Sequence, residues 1–311
     1  MREKIGVIGL GLMGTALTER LLGAGFGAVV YNRTPAKARP LLTRGAEWSD
    51  NPLTCCDRVL ISLYTTETVE TVLGHFDGAL RPGQILIDTT TGDPAQTVAL
   101  GTRLARRDIL YLDAPISGSS EQTRRGEVTT VVGGDPGAFD ACRDLFDCFS
   151  EKTFHVGPCG SGSKMKLVSN LVMGLNRAAL AEGLVFAKAI GVESQAALHV
   201  LRESLAYSRI MDTKGEKMVQ GDFQTQARLT QHLKDVRLMV DAASAAGLRL
   251  PLSEAHRQLL EKAEAGGYGE ADNSAVIQAY ELAVVKEGTA PQPKQPHYQK
   301  KTPSEITDAP R

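Results

Sequence analysis

Lys4-Ile-Gly-Val-Ile8-Gly9-Leu10-Gly11-Leu12-Met13-Gly14, continued by Thr15-Ala-Leu-Thr-Glu-Arg-Leu-Leu22 and Ala28-Val-Val-Tyr31, is the stretch that decides the fold. A short apolar run enters a glycine turn, then a segment with helical spacing, then a second β-branched run. Strand, Gly-x-Gly-x-x-Gly, helix, strand is the order and spacing of a dinucleotide-binding βαβ unit. Gly9 permits the tight turn, Gly11 lets the backbone approach a pyrophosphate, and Gly14 lets the helix pack on the strand. The helix N-terminus then faces the phosphate charge. Leu10, Leu12 and Met13 complete the cofactor loop.

The residues after the second strand choose between cofactors. An NAD site places Asp or Glu there to accept from the ribose 2′-hydroxyl. Here the strand ends in Asn32-Arg33-Thr34. No carboxylate is present, Arg33 offers a planar bidentate partner for a 2′-phosphate, and Thr34 adds a hydroxyl. The expectation is NADP(H) in preference to NAD(H). The alternative is an exposed arginine in an Asn-Arg-Thr-Pro turn.

Working outward, strand and helix patterns alternate. Strand runs at Arg58–Leu63, Gln84–Asp88, Ile109–Leu112, Val128–Val132 and Thr153–Val156 are separated by helical segments, among them Ala95–Arg106 and one ending near Phe146. Asp88-Thr-Thr-Thr91 lies at a strand's carboxyl end, where open α/β sheets bind ligands. This alternation predicts a Rossmann-type, doubly wound, mostly parallel sheet.

Gly160-Ser-Gly-Ser-Lys-Met-Lys166-Leu-Val-Ser-Asn170 then opens a long proline-free helix, read from Lys164 to about Ile190 and closing on Gly191. Lys166 and Asn170 are four residues apart and share a face. An amine and an amide aimed at one point suit the binding and deprotonation of a hydroxyl; the alternative is a solvated lysine at a helix start. Beyond it no strand pattern returns, and helices are read as broken at Gly215, Gly221-Asp222, Gly247 and Gly266-Gly267. The fold class is thus α/β with an all-α C-terminal part. The expected organisation is a nucleotide-binding domain over 1–163, an interdomain helix over 164–190, a helical substrate and dimerisation domain over 191–287, and a polar, proline-rich, disordered tail over 288–311.

Composition excludes other classes. A net charge of -1 gives no electrostatic case for nucleic acid or an anionic membrane surface. The apolar runs are strand-sized and Met1-Arg-Glu-Lys-Ile5 lacks a signal-peptide core. The odd, scattered cysteines (Cys55, Cys56, Cys142, Cys148, Cys159) read as reduced thiols in a cytoplasmic protein, and no cluster has metal-ligand spacing.

With these residues in hand the chain resembles the β-hydroxyacid dehydrogenase family over about residues 4 to 287. The resemblance rests on Gly9-Leu-Gly-Leu-Met-Gly14, Asp113-Ala-Pro-Ile-Ser-Gly-Ser119, the Gly-x-Gly-x-x-x-Lys-x-x-x-Asn run at Gly160, Gly162, Lys166 and Asn170, Lys234-Asp235, and Gly266-Gly-Tyr-Gly-Glu-Ala-Asp272. It implies Lys166 as general acid/base, Asn170 and Ser117 as catalytic partners, and Ser117, Gly118 and Ser119 with Lys166 and Asn170 around a small hydroxy-acid or aldehyde-acid. It also implies Leu63 and Thr91 against the cofactor, with Lys234 closing over it, and a homodimer or tetramer built on the long helix.

Ser119 in place of a second glycine looks more like the NADP-using glyoxylate and succinic semialdehyde reductases. Where members carry Phe, this chain has Ala227 and Arg228, so the pocket is expected to be roomier or more polar, with Arg228 as candidate partner for a second anionic group or else a surface arginine. Two rival functions share the architecture. Imine reductases usually lack this lysine, and non-catalytic NADP-binding interaction modules have lost it.

Overall fold

The computed structural model describes residues 3–281. The tail expected over 288–311, and the end of the unit expected to close at 287, lie outside the described residues.

One sheet holds strands β1 (Lys4–Ile8), β2 (Gly27–Tyr31), β3 (Glu47–Trp48), β4 (Arg58–Ile61), β5 (Ile85–Asp88), β6 (Leu110–Asp113), β7 (Ile116–Ser117), β8 (Val128–Gly133) and β9 (Ser150–Gly157). Its order is β3-β2-β1-β4-β5-β6-β8-β7, with β9 on β8. All pairings from β3 through β6 are parallel; β8 runs antiparallel to β6 and β7. The chain thus reverses its winding between β2 and β4 on either side of β1, a topological switch point. Register carries the carboxyl ends into line: Ile8 pairs with Ile61, Ile61 with Asp88, and Asp88 with Asp113. The glycine turn after β1, Leu63, Thr91 and Ser117 all follow from that one edge.

Helices α1 (Leu12–Gly23), α2 (Arg39–Leu42), α3 (Thr66–His75), α4 (Pro94–Ala105), α5 (Ser120–Arg125), α6 (Pro136–Asp140) and α7 (Arg143–Phe149) flank the sheet. Apolar clusters lie on its two faces, one around Leu17, Leu21 and Phe146, the other around Leu53, Val69 and Leu100. Strands buried on both faces, such as Ile85-Leu-Ile-Asp88, account for the unbroken apolar runs in the sequence. The helix read as ending near Phe146 is two, α6 and α7, meeting at buried Cys142.

Helix α8 (Ser161–Ala189) leads into α9 (Ser194–Arg202), α10 (Ile210–Gln220), α11 (Leu229–Ala245), α12 (Pro251–Ala263) and α13 (Gln278–Glu281), which share a second core of Leu180, Leu184, Leu198, Leu233 and Leu260. At 1.5 Å per residue α8 is about 43 Å long. It starts at Ser161 rather than Lys164 because Asp113 extends it: Oδ1 accepts from Gly160 N at 2.8 Å and Oδ2 from Ser163 N at 2.7 Å. A carboxylate satisfying the free N–H groups and facing the positive end of a helix is stabilising. Gly162 makes the approach close enough, since a Cβ there would stand 2.3 Å from Asp113 O. Gly215 does not break a helix, as expected, but sits inside α10, where a Cβ would collide with Leu198 of α9. The other expected breaks coincide with helix ends or turns.

Candidate active site

The cofactor edge begins at the glycine turn. Gly9 has φ +98, and a Cβ on Gly14 would lie 1.9 Å from Gly9 O, so β1 and α1 meet backbone to backbone. Gly11 is exposed with nothing near its absent Cβ, and the first turn of α1 carries no acidic residue and no side-chain cap. Free N–H groups on an open, glycine-lined helix start fit a pyrophosphate. Leu12 is exposed beside it, and Met13 Sδ accepts from Thr123 Oγ1 at 3.2 Å.

Asn32, read as part of the cofactor site, links the two turns of this edge. Its Oδ1 accepts from Leu10 N at 2.9 Å and its Nδ2 donates to Thr34 O at 3.0 Å, so the side chain pins the glycine turn to the end of β2. Arg33 and Thr34 are exposed just beyond. Leu63 N donates to Thr90 Oγ1 at 3.1 Å, which fixes the turn after β4 against that after β5.

The candidate catalytic residues come together where α8 meets β7 and α11. Lys166 is buried, and its Nζ donates to Ser117 Oγ at 3.2 Å. Burial lowers its pKa to about 8; Asp235 works against that shift and Lys234 adds to it. Asn170 Nδ2 donates to Asp235 Oδ2 at 3.0 Å, leaving Asn170 Oδ1 a buried acceptor with no partner among the described residues. Gly118 is exposed beside half-buried Ser117. Ser119 caps α5, its Oγ accepting from Gln122 N and its N–H donating to Gln122 Oε1.

Lys234, on α11, reaches across to the sheet edge. Its Nζ donates to Thr91 O at 2.7 Å and Tyr64 O at 3.0 Å, and stands 5.1 Å from the Tyr64 ring centroid. One ammonium thus ties the helical part to the loops after β4 and β5.

Arg228 is the surface arginine of the two readings. It is exposed and pairs with Glu270 at 3.1 Å. Sequence reading gave no role to Asp235 or Asp113, yet these hold Asn170 and the start of α8 respectively. The signal for Asp235 was its position on the buried stripe of α11, among Leu229, Leu233 and Val236, where a carboxylate is costly unless partnered.

Comparison with known proteins accords with this arrangement. Residues 4–157 match the model of the NAD-binding domain of 6-phosphogluconate dehydrogenase, and residues 160–280 that of the NAD-binding domain of NADP-dependent 3-hydroxyisobutyrate dehydrogenase. The chain is 30% identical to 2-(hydroxymethyl)glutarate dehydrogenase of Eubacterium barkeri over 285 residues, 89% of this chain and 95% of that one. The chain belongs to the β-hydroxyacid dehydrogenase family. It is 28% identical to the chloroplastic glyoxylate/succinic semialdehyde reductase 2 of Arabidopsis thaliana, over 91% of this chain and 81% of that one. Its fold superposes on Mycobacterium tuberculosis 3-hydroxyisobutyrate dehydrogenase with a TM-score of 0.83 and 25% identity, covering 90% of this chain and 99% of that one. As a β-hydroxyacid dehydrogenase homologue it is an NAD(P)-dependent oxidoreductase of the CH–OH group. Among the described residues no helix is long and apolar enough to cross a membrane.

Proposed function

We propose that the chain is an NADP(H)-dependent reductase of small aldehyde-acids, and in reverse a dehydrogenase of the matching hydroxy-acids, with Lys166 as general acid/base. The observation that carries this reading is the buried Lys166 Nζ beside Ser117 Oγ, with its pKa lowered to about 8, one helical turn from the unpartnered Asn170 Oδ1. A proton carrier that titrates near working pH serves both directions.

NADP(H), when bound, supplies or accepts the hydride. As ammonium, Lys166 gives its Nζ proton to the carbonyl oxygen that is becoming an alkoxide; as amine, it takes the proton of the hydroxyl group. Asn170 Oδ1 orients that hydroxyl, and Ser117 Oγ with the Gly118 N–H holds the carboxylate. Gly9 to Gly14, Leu63 and Thr91 line the cofactor. Arg33 and Thr34 meet its 2′-phosphate, and Lys234 closes the cleft and limits water.

The oligomer we propose is a homodimer on α8. Met165, Val168, Val172, Ala179, Phe186 and Ile190 form an exposed apolar row along the helix, opposite the face that packs its own core. A contiguous apolar face of that length favours a partner surface. The thiols of Cys55, Cys56, Cys142 and Cys159 support a cytoplasmic setting.

The test follows NADPH and NADH consumption with glyoxylate and with succinic, methylmalonic and tartronic semialdehydes, alongside Lys166→Ala. Turnover with NADPH that the variant loses supports the reading. Silence across the acids with NADPH binding intact, or activity that survives in the variant, overturns it.

A further inference from the structure

Behind the reaction centre the polar side chains do not stop. On α8 Lys166 and Asn170 are followed on the same face by Gly174 and Arg177, and on α11 Asp235 is preceded one turn earlier by His232. Arg177 is 1% exposed, His232 4% and His256 of α12 2%. The two imidazole rings lie 5.2 Å apart and converge on Gly174, where a Cβ would stand 2.6 Å from His232 Nε2 and 2.7 Å from His256 Cε1. Glycine is what lets both rings reach the helix backbone.

The hydrogen bonding here is one-sided. Arg177 Nε and Nη1, His232 Nε2 and His256 Nε2 are buried without a partner among the described residues. Burial lowers the Arg177 pKa to about 10, with Asp272 acting against it, so the guanidinium is a cation at neutral pH. Burial, then Arg177, lowers His256 to about 4; burial, Arg177, His256 and Lys166 together hold His232 well below its usual range. Both rings are neutral and each carries one N–H.

Asp272 cannot answer Arg177. Its Oδ1 accepts from Lys214 Nζ, Ser274 N and Ser274 Oγ, and its Oδ2 from Lys214 Nζ, Gln226 N and Ala227 N. A desolvated guanidinium with two unmet N–H groups is costly unless an acceptor arrives from outside the chain. A carboxylate matches its fork and its charge.

We propose that Arg177, His232 and His256 form a second carboxylate subsite, so that the preferred substrates are hydroxy-acids or aldehyde-acids bearing a second carboxylate at the end remote from the reacting carbon. The inference rests on the proposed oxidoreductase reading. The layer of Gly174 and His232 lies one helical turn, about 5.4 Å, from that of Asn170 and Asp235. That spacing suits a short methylene chain ending in a carboxylate.

Two compounds isolate the effect: 3-hydroxyisobutyrate and 2-(hydroxymethyl)glutarate, which differ only in whether the methyl group is extended by CH2COO−. With NADP+, the chain should show a kcat/KM at least about tenfold higher for the diacid, the order expected of a charge-assisted hydrogen bond. Arg177→Met should cost the diacid at least about tenfold more than the monoacid, and Arg177→Lys should recover part of the difference. Equal losses, or no preference in the parent, overturn the subsite.

A binding measurement separates this from the catalytic reading and does not depend on Arg177→Met folding. With NADP+ present, glutarate should raise the Tm of the parent protein more than isobutyrate does, and Arg177→Lys should narrow that gap. Glutarate-specific stabilisation without turnover of either hydroxy-acid retains the subsite and sinks the proposed hydroxy-acid reaction at Lys166. Turnover of the monoacid with glutarate and isobutyrate indistinguishable does the reverse.

Discussion

Asn170 on α8 and Asp235 on α11 are joined by a 3.0 Å hydrogen bond from Nδ2 to Oδ2, fully buried, between residues 65 apart in sequence. That bond fixes which way the amide faces: the NH2 group is spent on Asp235, so Oδ1 is left for a hydroxyl donor. Asp235 also raises the pKa of Lys166 against burial. It is therefore a positioning residue with an electrostatic share. Asp235→Asn keeps the volume and removes the charge, and should lower kcat/KM about tenfold while moving the Lys166 inflection below about 8. A pH profile with the inflection unmoved would reduce Asp235 to a steric support.

With Lys166 as the proposed acid/base, the pH dependence should have opposite signs in the two directions. Oxidation needs the Lys166 amine, so its kcat/KM should rise with pH through about 8 and then level. Reduction needs the ammonium, so its kcat/KM should be flat below about 8 and fall above it. Stability follows the same proton. The folded pKa of about 8 lies below the ordinary lysine value of 10.5, so between those values the unfolded chain binds more protons and stability rises with pH. The gain is about 3 kcal/mol at most. Melting curves from pH 8 to 10 should show a rise in the parent that Lys166→Met lacks.

The proposed preference for NADP(H) rests on an exposed residue. Arg33 lies past the carboxyl end of β2, where a 2′-phosphate of NADP(H) would lie and where no carboxylate is present to accept from the ribose of NAD(H). Arg33→Ala should raise the KM for NADPH by about ten- to hundredfold, as loss of a charge-assisted hydrogen bond predicts, with NADH altered less than threefold. Equal effects on both cofactors would return Arg33 to the solvated turn.

The parts of this molecule that were legible in sequence are those governed by local chemistry. Gly9, Gly11 and Gly14 are dictated by backbone contact within one βαβ unit, and the apolar runs from β1 to β6 by burial on both sheet faces. What was missed depends on partners distant in the chain. Gly215 looks like a helix breaker by propensity, yet the packing of α10 on α9 is what demands it. Arg228 and Arg177 show the same point inverted. The arginine beside an expected pocket position is on the surface, and the one in the middle of an apolar helix is the buried cation.

The exposed row on α8 yields the last prediction. Val168 and Val172 are more than half exposed, as are Phe186 and Ile190 about four to six turns nearer the C-terminus, although the opposite face of the helix is packed through Leu167, Leu180 and Leu184. The row therefore contributes nothing to the fold of a single chain, and a charge placed on it should leave that fold intact. If two copies of α8 pair, the row is buried in the dimer, and each charge must be desolvated there at a cost of several kcal/mol. Light scattering should give twice 33.3 kDa for the parent and 33.3 kDa for the double variant Val172→Asp, Phe186→Asp, with its Tm in dilute solution changed little from that of the dissociated parent. A parent mass of 33.3 kDa at micromolar concentration would remove the dimer, and a double variant that still dimerises would move the interface off α8.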